Sequence, residues 1–236
     1  MTTPTPAKAP STPFQMSYAA YLDWSDEHAH AEWVPIDSDG NGEVILLMPP
    51  TLSHQQTSDF LSTLLRLFVS LFQLGKIVTA PFEMKLGPGL AAREPDILFV
   101  SKAHSERLTE ERLNGPADLI IEIVSKSSVK RDRDAKYREY RNAGVGEYWV
   151  INPRFDQQRA DFYRLTPDGE YELFATEEDD KIVSTTLPGF WLNPDWLWQT
   201  GKLDPFPIFC EIVGLPENVA QQIQTQMKAN IVSVQG

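Results

Sequence analysis

Apolar residues recur at helical spacing across residues 53–74. Phe60, Leu61, Leu64, Leu65, Phe68, Leu71 and Phe72 form one stripe that ends at Gly75, which predicts an amphipathic helix lying on a sheet. A different pattern occupies residues 119–124, where Leu119, Ile120, Ile121, Ile123 and Val124 form an unbroken bulky run. It is bounded by Asn114-Gly115-Pro116 and by a Ser/Lys loop, as expected of a strand covered on both faces. Helical spacing returns over residues 128–143, with Ser127 or Ser128 as N-cap and Asn142 to Gly144 as the stop. A further strand follows at 147–151. Strand, helix and strand together predict one crossover unit.

Upstream, Glu32-Trp33-Val34 and residues 43–48 flank Asp37-Ser38-Asp39-Gly40-Asn41-Gly42, a hairpin signal. Residues 76–84 read as one strand, and Leu86-Gly87-Pro88-Gly89 turns the chain toward a strand at 96–100. Residues 14–24 are expected to form a short amphipathic helix covering the core. Residues 101–114 read as a polar surface connection, and 160–165, 171–175 and 182–187 as short strands. The pattern predicts an α/β fold with a mixed central β-sheet flanked by helices. Residues 1–13, rich in Thr, Pro and Ala, are expected to be a mobile tail. Residues 14–200 are expected to form one domain, and 201–236 a helical C-terminal extension with its helix at 216–229.

Composition narrows the class. A 236-residue chain with 42% hydrophobic residues can bury one sizeable core. Its net charge of −12 argues against binding nucleic acid through the field of the whole molecule. The segment 126–141 runs the other way, with seven Lys/Arg against three acids. Cys210 is the only cysteine, which excludes an intrachain disulfide and suits a reducing compartment. No apolar stretch approaches membrane-spanning length, so a soluble, cytoplasmic protein with no membrane partner is expected. The tryptophans at 191, 196 and 198 form an aromatic cluster read as core or as a subunit contact, which would suit a homodimer.

The candidate chemistry centres on Glu122, a lone carboxylate inside the apolar run. Burying it unpaired costs several kcal/mol, so it must be neutral, paired with a cation or bound to a metal. Asp132, Lys136 and Tyr140 stand at i, i+4 and i+8 and share one helix face, from which Lys136 can reach back toward Glu122. Asp96 begins the strand after Pro95. If the two strands are neighbours, alternation places Asp96, Leu98 and Val100 on the same side as Ile120, Glu122 and Val124. Two carboxylates beside a lysine can hold a divalent ion and act on a phosphate or a water. His54, in the first turn of the predicted long helix, is a candidate phosphate or water contact, against the plainer reading of a capping-region histidine. Glu32 is a candidate further acid, or simply an exposed strand residue. No P-loop, Gly-x-Gly-x-x-Gly, metal-spaced Cys/His set or nucleophile elbow is present.

Taken together, several motifs resemble the Uma-two family of restriction-endonuclease-like proteins, within the PD-(D/E)XK nuclease superfamily. They are Pro95-Asp96, Asp118-Leu-Ile-Ile-Glu-Ile-Val-Ser125, Asp132-x-x-x-Lys136-x-x-x-Tyr140 and Ala143-Gly-Val-x-Glu-Tyr-Trp-Val150. The resemblance runs from about residue 32 to about residue 196. It implies a restriction-endonuclease-like fold, Mg²⁺ or Mn²⁺ as cofactor, DNA as partner and phosphodiester hydrolysis as the reaction. Asp96 and Glu122 would be metal ligands, Lys136 the catalytic amine, and Glu32, His54, Asp132 and Tyr140 accessory residues. The superfamily's usual lysine, two residues after the Glu, is here Val124, so the amine would come from the helix. Two other readings stand beside this one. Glu122 and Lys136 form only a buried salt bridge, or the protein keeps the nuclease fold as a binding module without turnover.

Overall fold

The computed structural model describes residues 14–25 and 30–234, so the tail expected at 1–13 lies outside the described residues. The chain opens with β1 (Phe14–Ser17), α1 (Tyr18–Ser25), β2 (Ala31–Pro35) and β3 (Asn41–Leu46). The long helix α2 (Leu52–Leu71) leads to β4 (Gly75–Thr79), β5 (Glu83–Lys85), β6 (Ala92–Arg93) and β7 (Ile97–Ser101). β8 (Arg112–Asn114) and β9 (Leu119–Ile123) precede a π-helical turn (Arg131–Lys136) that continues into α3 (Tyr137–Ala143). Then come β10 (Glu147–Asn152), β11 (Arg159–Leu165), β12 (Tyr171–Thr176), β13 (Ile182–Val183), β14 (Trp191–Leu192), α4 (Pro205–Ile212) and α5 (Glu217–Val234).

Six strands form the central sheet in the order β12-β11-β10-β9-β7-β4. β9 and β10 are parallel, as the crossover requires, while β7 and β11 run antiparallel to their neighbours. Alternation along the strands divides the apolar side chains between two cores. Ile97, Phe99, Leu119, Ile121, Trp149 and Ile151 face α2, whose stripe includes Phe60, Leu61, Leu64 and Phe68, together with Ile208 and Ile212 of α4. On the opposite face, Leu98, Val100, Ile120, Val124 and Val150 pack with Tyr140 and Tyr148, and with Met84 and Leu113 from a second sheet. That second sheet has the order β1-β3-β2-β6-β5-β8.

The central mixed sheet flanked by helices is therefore present, and the second sheet accounts for most of the differences from expectation. Residues 76–84 are two strands in different sheets. Pro81 has no N–H to give to a ladder, and the chain leaves the central sheet there. The helix expected over 14–24 begins only at Tyr18, because Phe14 to Ser17 pair with β3, Phe14 opposite Val44. The stretch 101–114 is no plain surface connection. It holds a short 3₁₀ segment (Lys102–Arg107) and β8, which pairs in parallel with β5. Residues 182–187 are extended only as far as Val183, which pairs with Trp191 in a two-stranded ribbon. The helix expected at 216–229 is α5, which begins one residue later and runs on to Val234. Among the described residues no helix is long and apolar enough to cross a membrane.

Candidate active site

β7 and β9 lie side by side and antiparallel, with Ile97 opposite Ile121 and Leu98 opposite Ile120. Continuing that register by one residue sets Asp96 level with Glu122. The pairing is tightened by the Ile123 N–H, which donates to Asp96 Oδ2 at 2.7 Å. Leu98, Val100, Ile120 and Val124 lie in one core, so alternation turns Asp96 and Glu122 toward that same side of the sheet.

Glu122 is 3% exposed and Lys136 2%. Glu122 Oε1 accepts from Lys136 Nζ and from the Tyr140 hydroxyl, both at 2.8 Å. The helix face expected from the i, i+4, i+8 spacing thus does converge on Glu122, although its first turn is π-helical instead of α-helical. That turn is pinned from the sheet by Tyr148, whose hydroxyl donates to the Asp132 carbonyl oxygen at 2.7 Å. Asp132 is buried on the same side, with Oδ1 3.6 Å from Lys136 Nζ. Val124, two residues after Glu122, is 1% exposed and belongs to the apolar core. The lysine delivered by the helix is the one that reaches the acid. Asn152 serves its own turn, its Oδ1 accepting from the N–H and Nε of Arg154.

Glu32 comes from β2 in the second sheet and is fully buried, so it is no exposed strand residue. Its Oε1 lies 2.8 Å from Lys136 Nζ, while its Oε2 accepts from Arg93 Nη1 at 2.9 Å and lies 3.6 Å from Arg131 Nε. Arg93, on β6, also donates from Nε and Nη2 to the two carboxylate oxygens of Glu139, at 2.8 and 2.6 Å. Arg93 and Glu139 escaped the sequence reading. The available signal was Arg93-Glu94-Pro95-Asp96, a cation three residues ahead of a candidate ligand. His54 stands in the first turn of α2, capped by Thr51, with Nε2 3.3 Å from Asp96 Oδ2.

A cavity of about 360 Å³ lies beside this network, and its wall carries His54, Glu94, Asp96, Glu122, Arg131, Asp132 and Lys136, with the serines of the loop after β9. Burial pushes Glu122 above the usual carboxylate range; Lys136 opposes the shift, and the charges of Asp132, Asp96 and Glu32 add to it. Burial likewise raises Asp132, and with the nearby charge of Glu32 it raises Glu94 to about 7. Glu32 moves the other way. Burial alone would raise it, but Lys136, Arg93 and Arg131 outweigh that and bring it to about 2. For Lys136, burial favours the neutral amine, yet the surrounding carboxylates hold it well above the ordinary lysine value. Burial lowers His54, and the hydrogen bond and charge of Asp96 more than reverse this.

Among the described residues no three His, Cys, Asp or Glu side chains stand together as a ready-made ion cage. Magnesium needs no such cage, because one or two carboxylates with waters commonly hold it. Asp96 and Glu122 are hard oxygen donors of that kind, level with one another on adjacent strands. Glu94 Oε2 and Asp132 Oδ1, and likewise His54 Nδ1 and Arg131 Nε, are buried beside the same cavity without a hydrogen-bond partner, so polar atoms of both signs are left there for a ligand. The residues fit a hard divalent cation.

The fold is that of a restriction-endonuclease-like α/β protein. It is similar to the crystal structure of "a putative nuclease belonging to DUF820 from Anabaena variabilis ATCC 29413", with a TM-score of 0.62 at 17% identity, covering 78% of this chain and 98% of that one. The chain belongs to the Uma2 family, described as "Putative restriction endonuclease", which matches residues 21–195. No curated protein matches it.

Proposed function

We propose that this protein is a divalent-metal-dependent endonuclease that hydrolyses DNA phosphodiester bonds at the cavity beside Asp96 and Glu122. The observation that carries the reading is the pair of carboxylates in register on adjacent strands, one of them gripped by a lysine from the crossover helix. Asp96 and Glu122 would hold Mg²⁺ or Mn²⁺, which when bound lowers the pKa of water and offsets phosphate charge. Lys136 is not the base of this reaction. An ammonium held by three carboxylates keeps its proton, so it acts as a fixed charge that orients Glu122 and faces the charge developing on the phosphate. The N-terminus of α2, with His54, adds a positive partial charge toward a phosphate entering the cavity.

The test is incubation of the purified protein with supercoiled plasmid, linear duplex and single-stranded DNA in Mg²⁺ or Mn²⁺. Cleavage is expected in the wild type and not in Asp96→Ala. Lys136→Ala should cleave about a hundredfold more slowly while still binding metal. The second reading, DNA binding without turnover, draws support from Val124 in the usual lysine slot and from the complete engagement of Lys136 by acids. Retained DNA binding with no cleavage of any substrate would establish it instead.

A further inference from the structure

Arg93 lies outside the acid–lysine constellation, yet it is 1% exposed and all three of its guanidinium nitrogens are engaged. Two of them grip Glu139 in a fork. Glu139 lies three residues after Lys136, on the same face and one turn along the same helix, so this contact ties α3 to β6 in the second sheet. The third nitrogen holds Glu32 Oε2, which leaves Glu32 Oε1 directed at Lys136 Nζ. The chain Glu139–Arg93–Glu32–Lys136–Glu122 therefore links the second sheet, the crossover helix and the central sheet through side chains.

Resting on the nuclease reading above, we infer that Arg93 is a positioning residue for the relocated lysine: it anchors Glu32 and the helix so that the Lys136 ammonium stays on Glu122. The need for an anchor follows from the competing partner. Asp132 sits on the same helical segment as Lys136, 3.6 Å from its Nζ, and would hold the ammonium locally if Glu32 were free to turn away. A lysine two residues after the acid on the same strand would be placed by the strand itself. One carried by a separate helix is placed only as well as that helix is fixed. Stability alone does not explain the device, since buried ion networks contribute little that apolar packing could not supply.

The test uses Arg93→Lys, which keeps the charge and loses the fork. Glu139→Gln, at a side chain 25% exposed, serves as a second variant that disturbs the core less. At saturating DNA and metal, both should cleave about tenfold to a hundredfold more slowly, the range expected when a distant change misplaces a reacting group. KM for DNA should be unchanged, and Mn²⁺ should still bind. On a Lys136→Ala background neither substitution should slow cleavage further, because it acts only through that amine. Losses that add to the Lys136→Ala loss, or wild-type rates in both variants, would overturn the inference. A second readout does not depend on cleavage. In ¹⁵N-lysine-labelled protein the buried Lys136 ammonium should give a slowly exchanging signal, identified by its loss in Lys136→Ala. That signal should be lost or displaced in folded Glu139→Gln, and an unchanged signal would overturn the positioning role. An inactive wild type with the signal behaving as expected would sink the nuclease reading and leave the positioning of Lys136 by Arg93 standing.

Discussion

Glu122 shares its surroundings with Asp96, Asp132 and Glu32, while Lys136 answers for several of these carboxylates at once. Glu122→Gln removes one negative charge from that crowd, and Lys136 keeps Glu32 and Asp132. In chelator the variant is expected to melt at or above the wild-type temperature, while Mn²⁺ binding measured by calorimetry falls steeply. A large drop in melting temperature would instead identify the Glu122–Lys136 pair as mainly structural. Glu94 makes a separate prediction. Its folded pKa of about 7 lies above the ordinary 4.5, so the folded chain binds that proton more tightly than the unfolded chain does. The stability it contributes is complete below about pH 4.5 and is lost as the pH rises through about 7. Melting curves in chelator should show a wild-type decline across that window that is shallower in Glu94→Gln. Parallel slopes would refute this account of Glu94.

At the scale of the element, β4 is the edge of the central sheet and supports β7, the strand that Asp96 precedes. Gly75 opens β4 opposite Ser101, and a Cβ there would lie 2.1 Å from the backbone oxygen of Val100. A main-chain atom cannot move aside as a flexible side chain can, so Gly75→Ala must shift the strand. A destabilisation of about 1–3 kcal/mol is expected, read as an earlier midpoint in urea. The folded fraction should keep its metal affinity, because the strain enters at the end of β7 remote from Asp96. An unchanged midpoint would mean that the edge strand yields freely. Elements also explain what periodicity missed in the crossover helix. A π-helical turn brings Asp132 and Lys136 inward together, and Tyr148 on β10 holds it from across the sheet.

For the whole molecule, a net charge of −12 sets up general repulsion toward the proposed DNA substrate, so binding has to rest on local contacts. Within the basic segment 126–141, Arg131, Arg133, Lys136 and Arg141 are already paired with acids, so the exposed Lys130 is the simplest probe of a local contact. Lys130→Ala should weaken DNA binding without changing cleavage at saturation. It should also reduce the slope of log affinity against log salt by about 1. An unaltered salt slope would place the DNA path elsewhere on the surface. Without divalent cations, wild-type binding should weaken as well, since the cavity then presents its acids to the phosphates uncompensated.

The sequence by itself determined the parts whose signals are local. The stripe of α2, the apolar run of β9 and the strand–helix–strand crossover follow from periodicities that backbone geometry imposes within one element. The shared face of Asp132, Lys136 and Tyr140, and the side on which Asp96 and Glu122 point, were legible for the same reason. The second sheet was legible only in its β2–β3 hairpin, because β5, β6 and β8 are two or three residues long and carry no period. Nor were the partners of Arg93, which lie 61 and 46 residues away at Glu32 and Glu139. Only tertiary packing decided that a strand outside the central sheet would hold a helix in place. Buried charges choose partners by position in space, and sequence spacing carries no record of contacts that distant.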